Sequence, residues 1–251
     1  MQSGYRYYLK DMMSGDGGMA YRKKSVVAGK TMEVEKYLLL QHPEKGRQRE
    51  AKAEKTSDAQ QKVNERNAAR KLRLLVNENF GEGDLHLILT YREEAPTPEQ
   101  AKEILRKFMR RMRKLYDSRG EELRYIAVTE YLSARIHHHL IVGRMDVGEI
   151  RKLWEHGFLR LSVLDDTGDY HALADYLIKE TARSFRESPT KKRWTASRNL
   201  RRPEEKVETI RRKRFREPPP EKIGAFRLVH WENRVDEFTQ EIHQVAYYRR
   251  I

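Results

Sequence analysis

Residues 125–142 read YIAVTEYLSARIHHHLIV, which is typical of two extended strands joined by a tight turn. Side chains alternate between the two faces of a strand, so we expect His137 and His139 on one face and His138 on the other. The hairpin would bring Glu130 back beside the first two histidines. Two imidazoles and a carboxylate on one sheet face therefore predict a divalent-metal site formed by Glu130, His137 and His139.

The identity of the metal stays open at this point, because histidine and carboxylate ligands suit Mn²⁺, Mg²⁺, Zn²⁺ or Fe²⁺. The simpler alternative is that the three histidines are solvated or hydrogen-bonded groups of a basic patch. The rest of the chain has to decide between the two interpretations.

Composition indicates a polyanionic partner. The chain has 251 residues, a formal net charge of +14 and a sequence pI near 9.8. It has no cysteine, which excludes disulfides, thiolate metal sites and cysteine nucleophiles. No run approaches the roughly 18 apolar residues that a membrane span needs, and no secretory signal is visible, so we expect a cytoplasmic protein.

The elements from residue 85 to 185 follow the order β-α-β-β-α-β-α. A buried-type strand at 85–91 precedes an amphipathic helix at 98–116, which Thr97 and Gln100 begin with a capping box. The hairpin follows, and then come a short helix, the strand 158–163 and a last helix from about 172. This order predicts an α+β fold of the ferredoxin-like βαββαβ type, with helices on one face of an antiparallel sheet and the other face open.

The flanking regions suggest three domains, at 1–83, 84–187 and 188–251. The first combines a strand hairpin around Gly29-Lys30-Thr31 with a long, charged, exposed helix at 44–79. The third is a basic extension with a proline-rich linker and two strands within 223–250. Lys24 stands where a phosphate-binding loop would need glycine, so the hairpin is the better interpretation of 29–31.

Three motifs in this order resemble the HUH endonuclease superfamily, and more narrowly the phage and plasmid rolling-circle replication initiators. They are the strand 87–91, the histidine strand 137–139 and Tyr176-Leu177-Ile178-Lys179 on the last helix. The resemblance covers about residues 84–186. It implies a metal-dependent endonuclease that nicks single-stranded or hairpin DNA at a replication origin.

The resemblance assigns a role to each motif. Tyr176 would attack the scissile phosphate and keep a 5′-phosphotyrosine link, which allows later religation. Lys179, one turn further on, would stabilise the phosphate or lower the tyrosine pKa, although a solvated role is equally compatible with the sequence. Glu130, His137 and His139 would hold Mg²⁺ or Mn²⁺ against the phosphate oxygens. The partners implied are origin DNA and the host helicase and polymerase.

Two positions depart from the family pattern. The middle residue of the histidine strand is usually bulky and apolar, but here it is His138, which must find hydrogen-bond partners on the helix-covered side. Many phage members have a second tyrosine four residues after the first, and here that residue is Glu180. We therefore expect one nucleophile per chain.

Basic segments supply candidate DNA contacts. We expect phosphate or base contacts from the end of the first strand, from the basic face of the helix 98–116 and from the segment after 190. The residues concerned are Tyr91, Arg92, Arg106, Arg110, Arg113, Lys191, Lys192, Arg193 and Arg198.

Two other functions are compatible with parts of the sequence. A βαββαβ domain can also be a non-catalytic RNA- or single-stranded-DNA-binding module of the RRM type, but the central strands lack the aromatic stacking motif of those domains. A transposase or relaxase of the same superfamily would share the metal and tyrosine chemistry, and the catalytic core alone separates it poorly from an initiator.

Overall fold

The structure is a computed structural model that describes residues 20–38, 58–92, 96–131, 135–182, 192–211, 217–235 and 241–251. These residues form an α+β protein with antiparallel sheets and four helices. In chain order, the elements are β1 (Ala20–Ala28), β2 (Thr31–Leu38), α1 (Asp58–Asn79), β3 (Leu85–Thr90), α2 (Pro98–Ser118), β4 (Tyr125–Glu130), β5 (His137–Val142), α3 (Val147–Leu153), β6 (Leu159–Val163), α4 (His171–Thr181), β7 (Thr195–Ala196), β8 (Glu205–Arg211), β9 (Lys222–Ile223), β10 (Phe226–Val235) and β11 (Ile242–Arg250).

The chain divides into two compact units. One comprises residues 56–202, and the other combines 1–55 with 203–251. The predicted catalytic region 84–187 lies wholly within the first unit, together with α1 and residues 192–202.

The unit 56–202 is built on a five-stranded antiparallel sheet with the order β6-β3-β5-β4-β7. β5 is the central strand, and it pairs with β3 on one side and β4 on the other. Glu130 on β4 lies directly opposite His137 on β5, so the hairpin register that the sequence predicts is present.

One face of this sheet packs against α2 and α3. Leu87 and Leu140 face Phe108 and Met112 of α2 and Ile150 of α3, and all five are fully buried. Both halves of the predicted capping box begin α2. Thr97 Oγ1 accepts from the Gln100 amide at 3.2 Å, and the Thr97 amide donates to Gln100 Oε1 at 2.9 Å.

The opposite face is also covered by helices, which corrects the prediction of helices on one face only. Leu72 of α1 and Leu177 of α4 pack against Ile126, Val128 and Ile141 of the sheet. The reason is energetic: these strand side chains are apolar, and leaving them in water would forgo about 1.5–3 kcal/mol for each large side chain. α1 lies within the predicted long helix 44–79, but its apolar residues are buried rather than exposed, and residues 44–57 lie outside the described residues.

The second unit is a six-stranded antiparallel sheet with the order β8-β1-β2-β11-β10-β9. The hairpin predicted around residues 29–31 is confirmed, because β1 and β2 pair with Ala28 opposite Thr31. Gly29 has a φ of 55°, in the left-handed region that this tight turn requires. The two C-terminal strands are confirmed as β10 and β11.

Within the described ranges, no helix combines the length and the apolar character needed to cross a membrane.

Candidate active site

The three predicted metal ligands share one face of the unit 56–202 sheet, on the side of α4. Glu130 Oε2 lies 3.3 Å from His137 Nε2, and the rings of His137 and His139 are 4.9 Å apart between centroids. Glu130 and His139 are buried, and the His137 side chain is about one fifth exposed, at 19 %. Strand alternation therefore brings together the side chains that the sequence predicted.

Two polar atoms of this cluster are buried without a hydrogen-bond partner. They are Oε2 of Glu130 and Nε2 of His139. An unpaired buried polar atom costs about 1–3 kcal/mol, so each needs a physical explanation. A carboxylate oxygen and an imidazole nitrogen are both good donors to a divalent cation, and a cation there would satisfy both atoms.

The side chains are not yet arranged as a closed coordination shell. Among the residues that the structure describes, no group of three or more His, Asp or Glu side chains has the geometry of a metal site. The donor chemistry and the two unpaired atoms fit a cation, and the coordination shell would have to tighten around it.

His86 on β3 supports His139 from behind. His86 Nε2 and His139 Nδ1 hydrogen-bond at 3.2 Å, and the two rings are stacked. Burial lowers the pKa of His86 to about 4 and, with weaker effects of neighbouring histidines, that of His139 to about 3. A neutral His139 that uses Nδ1 toward His86 keeps Nε2 for a ligand, which is how outer-shell partners orient metal-binding histidines.

Tyr176 on α4 lies beside this cluster. Its ring is 5.5 Å from the His139 ring, edge to face, and its side chain is 42 % exposed. Burial, and then the carboxylates of Glu180 and Glu130, raise the pKa of Tyr176. The phenol is thus reachable by a substrate, but its ionised form needs a nearby positive charge.

Glu180 is a site residue that sequence reasoning noted only as the missing second tyrosine. Burial raises the pKa of Glu130, His137 opposes this, and the Glu180 carboxyl raises that pKa further through its charge and a hydrogen bond. The signal was present in the sequence, because residues four apart on a helix share a face and Glu180 follows Tyr176 at that spacing.

Lys179 is exposed on α4. None of the contacts found among the described residues joins its ammonium group to Tyr176 or to the histidines. Its role in phosphate stabilisation stays a prediction.

His138 points to the α2 and α3 side and is completely buried. Tyr91 Oη hydrogen-bonds to His138 Nε2 at 2.7 Å, and Thr129 Oγ1 hydrogen-bonds to His138 Nδ1 at 2.8 Å. Both ring nitrogens are therefore satisfied, as the sequence analysis required. The contact also corrects the prediction that Tyr91 touches DNA: Tyr91 continues the inward alternation of Leu87 and Leu89, so it is only 5 % exposed.

The buried state of His138 predicts an acid-sensitive fold. Burial lowers its pKa to about 3, whereas an unfolded histidine titrates near 6.5, so the unfolded chain takes up a proton that the native chain excludes. Stability is complete above pH 6.5 and falls by about 1.4 kcal/mol per pH unit for this group as pH drops toward 3. In His138→Leu, we expect urea unfolding at several pH values to show a slope smaller by that amount.

The same change at the exposed His156 is the matched control, and His156→Leu should keep the original pH slope. At neutral pH, His138→Leu should cost about 1–3 kcal/mol, because the Tyr91 and Thr129 hydroxyls lose their partner. Equal pH slopes for the two variants would show that His138 does not carry the acid sensitivity.

Most of the remaining predicted DNA contacts converge. Arg106, Arg110 and Arg113 of α2 line a single pocket of about 460 Å³, together with Lys192 and Arg193. Arg92 and Arg198 are exposed elsewhere on this unit, with the Arg92 guanidinium over the Phe158 ring. Lys191 lies outside the described residues.

Comparison with known proteins agrees with this arrangement. Residues 84–181, from the start of β3 to the end of α4, match a family model described as Replication-associated protein ORF2. Neither the curated proteins nor the solved structures contain a match. The resemblance drawn from the three motifs is confirmed: residues 84–181 belong to the replication-associated protein ORF2 family, a family of rolling-circle replication initiators.

Proposed function

We propose that this protein is a metal-dependent endonuclease that nicks single-stranded DNA at a replication origin through a 5′-phosphotyrosine intermediate. One observation carries the proposal: unpaired atoms of Glu130 and His139 lie next to an exposed tyrosine ring in the region that matches the initiator family. This combination provides a phosphate-orienting group and a nucleophile in one place.

The strand order supports the ferredoxin-like plan for this region. β3, β4, β5 and β6 alternate with α2 and α3 as βαββαβ, and the four strands lie side by side in the order β6-β3-β5-β4. In this plan, the two central strands and the last helix hold the reacting groups.

In the proposed reaction, Tyr176 Oη attacks the scissile phosphorus and forms a phosphotyrosyl bond. The P–O3′ bond breaks, and the leaving oxygen takes a proton to become a free 3′-OH. Bound Mg²⁺ or Mn²⁺, held by Glu130, His137 and His139, would supply neutralisation and orientation of the phosphate. His86 keeps His139 oriented, and the exposed edge of Tyr176 leaves room for an in-line approach.

Glu180 sets the charge around the nucleophile. Its carboxylate raises the pKa of both Tyr176 and Glu130, so it opposes ionisation of either group without a cation. With one tyrosine on α4 at this face, the proposed chemistry has one nucleophile per chain, and a second strand transfer would need religation or a second copy.

Removing the Glu180 charge should lower the pKa of Glu130. We expect Glu180→Gln to move the carboxyl titration of Glu130 to lower pH in the metal-free protein, measured by ¹³C NMR of labelled glutamate, because a neighbouring negative charge disfavours ionisation. Asp175→Asn, an exposed change on the same helix, is the control and should leave that titration in place. An unchanged Glu130 titration in Glu180→Gln would refute the coupling.

The proposal is tested with the full chain, single-stranded oligonucleotides that tile the origin of its own replicon, and Mn²⁺ or Mg²⁺. The expected products are a denaturant-resistant protein–DNA adduct and a shortened strand with a free 3′-OH. Binding without metal-dependent cleavage on any origin strand would favour the RRM-like binding module instead. Nicking at a transposon end or a conjugative origin, but not at a replication origin, would favour the transposase or relaxase alternative.

A further inference from the structure

The pocket beside α2 combines positive charge with aromatic side chains. Fourteen described residues line it, of which six are basic, three are aromatic and none is acidic. The basic residues are Lys102, Arg106, Arg110, Arg113, Lys192 and Arg193. A cavity of about 460 Å³ is within the usual range for small-ligand sites, and this lining favours an anionic group attached to a flat ring.

The first wall is a single stripe of α2. Lys102, Arg106, Arg110 and Arg113 are spaced by four, four and three residues, which places them on one side of the helix. Arg106 pairs with the exposed Glu103, an interaction that is weak in water. Most of the positive charge of this stripe is therefore available to a ligand.

The floor is one face of β4. Tyr125, Ala127 and Thr129 alternate along the strand toward the pocket, and Tyr131 continues the series just past its end. This floor gives the pocket two phenol rings and an apolar surface.

The short strand β7 positions the second wall. Thr195 pairs with Ala127, and Tyr125 exchanges two hydrogen bonds with Ser197, at 3.0 Å and 3.1 Å. The preceding residues Lys192, Arg193 and Trp194 are thereby held along the edge of the pocket. Trp194 is half-buried and adds a third aromatic ring.

The pocket and the candidate active site share β4 but lie on opposite faces of it. Thr129 and Tyr131 face the pocket, and Glu130 between them faces the histidines. A strand of DNA that passes round this end of β4 reaches both sites within a few nucleotides.

We propose that this pocket binds one unpaired nucleotide of the single-stranded substrate beside the scissile phosphate. Its base stacks against the aromatic residues, and the neighbouring phosphates contact the α2 stripe and Lys192. Bases in duplex DNA are stacked on each other and cannot enter such a pocket, so it selects unpaired or extruded DNA. The proposal rests on the proposed function for its substrate, but it concerns binding and is tested without cleavage.

The test measures binding by the full-length Tyr176→Phe chain, with fluorescence anisotropy, of an oligothymidylate of about 15 nucleotides. An abasic oligonucleotide of equal length has the same charge without bases. We expect the oligothymidylate to bind about tenfold more tightly than the abasic strand, because base stacking contributes on this scale. Tyr131→Leu should reduce that preference and retain binding of the abasic strand.

The matched pair of charge variants separates this pocket from general attraction. Arg110→Ala/Arg113→Ala should weaken oligothymidylate binding about tenfold or more and lower the salt-dependence slope by about 2, whereas Lys107→Ala/Lys114→Ala removes two exposed cations of the same helix outside the pocket. The second variant should keep most of the affinity. Circular dichroism checks that each variant is folded.

Equal losses in the two charge variants, or equal binding of the oligothymidylate and the abasic strand, would overturn the proposal. Tighter binding of an oligouridylate than of the oligothymidylate would also overturn it in favour of an RNA ligand. Because no outcome depends on nicking, failure of this pocket and failure of the proposed nuclease function are distinguishable.

Discussion

Tyr176→Phe is expected to abolish the covalent protein–DNA adduct and to reduce nicking by a factor on the order of 10³ or more, since loss of a nucleophile removes the chemical step itself. The side chain is 42 % exposed, and the change removes only its hydroxyl, so the free energy of unfolding should be nearly unchanged. Adduct formation is measured on denaturing gels with labelled origin strands and Mn²⁺.

The matched control is Tyr170→Phe, at the start of the same helix. Tyr170 is buried, and its hydroxyl donates to the Asp165 carbonyl at 2.9 Å, so this change should cost about 1 kcal/mol of stability and leave the adduct intact. Binding of single-stranded DNA should persist in both variants. An adduct that survives in Tyr176→Phe would exclude Tyr176 as the nucleophile.

The second large effect is expected at the histidines. His137→Ala/His139→Ala should lower nicking at least about a thousandfold, to the rate seen in EDTA, because the scissile phosphate would lose the charge neutralisation that a cation supplies. The same double change should abolish specific Mn²⁺ binding measured by titration calorimetry. This second readout does not depend on activity.

Within the pair, His139→Ala should be the more damaging single change. His139 is 1 % exposed, its Nε2 has no hydrogen-bond partner, and His86 orients its ring, whereas the His137 side chain is partly exposed. His156→Ala, an exposed change in the same unit, is the control and should bind Mn²⁺ as the unmodified chain does. Full Mn²⁺ binding by the double variant would contradict the metal assignment.

The parts of the site that could be predicted from sequence depend on local periodicity. A two-residue alternation separates His138 from His137 and His139, and a short hairpin places Glu130 opposite His137. The Thr97 and Gln100 capping box is similarly local, since both partners lie within one turn of the helix. Such features need no knowledge of the tertiary fold.

The features that were missed depend on long-range packing. α1 is mostly charged, so its few apolar residues did not reveal that Leu72 and Val76 would cover a sheet face. Tyr91 at a strand end suggested a DNA contact, but His138 needed a buried partner 47 residues away in sequence. The two-residue strand β7, too short to recognise in sequence, aligns residues 192–195 with α2 and β4 and so creates the pocket.

The most direct test of the central claim is mass spectrometry of the protein–DNA adduct after protease and nuclease digestion. The wild-type chain is incubated with its origin strand and Mn²⁺, and the modified peptide is sequenced by fragmentation. The account predicts a single 5′-phosphonucleotide attached to Tyr176 Oη. A nucleotide attached to Tyr170 or to any other side chain, or cleavage with no attached nucleotide, would contradict it.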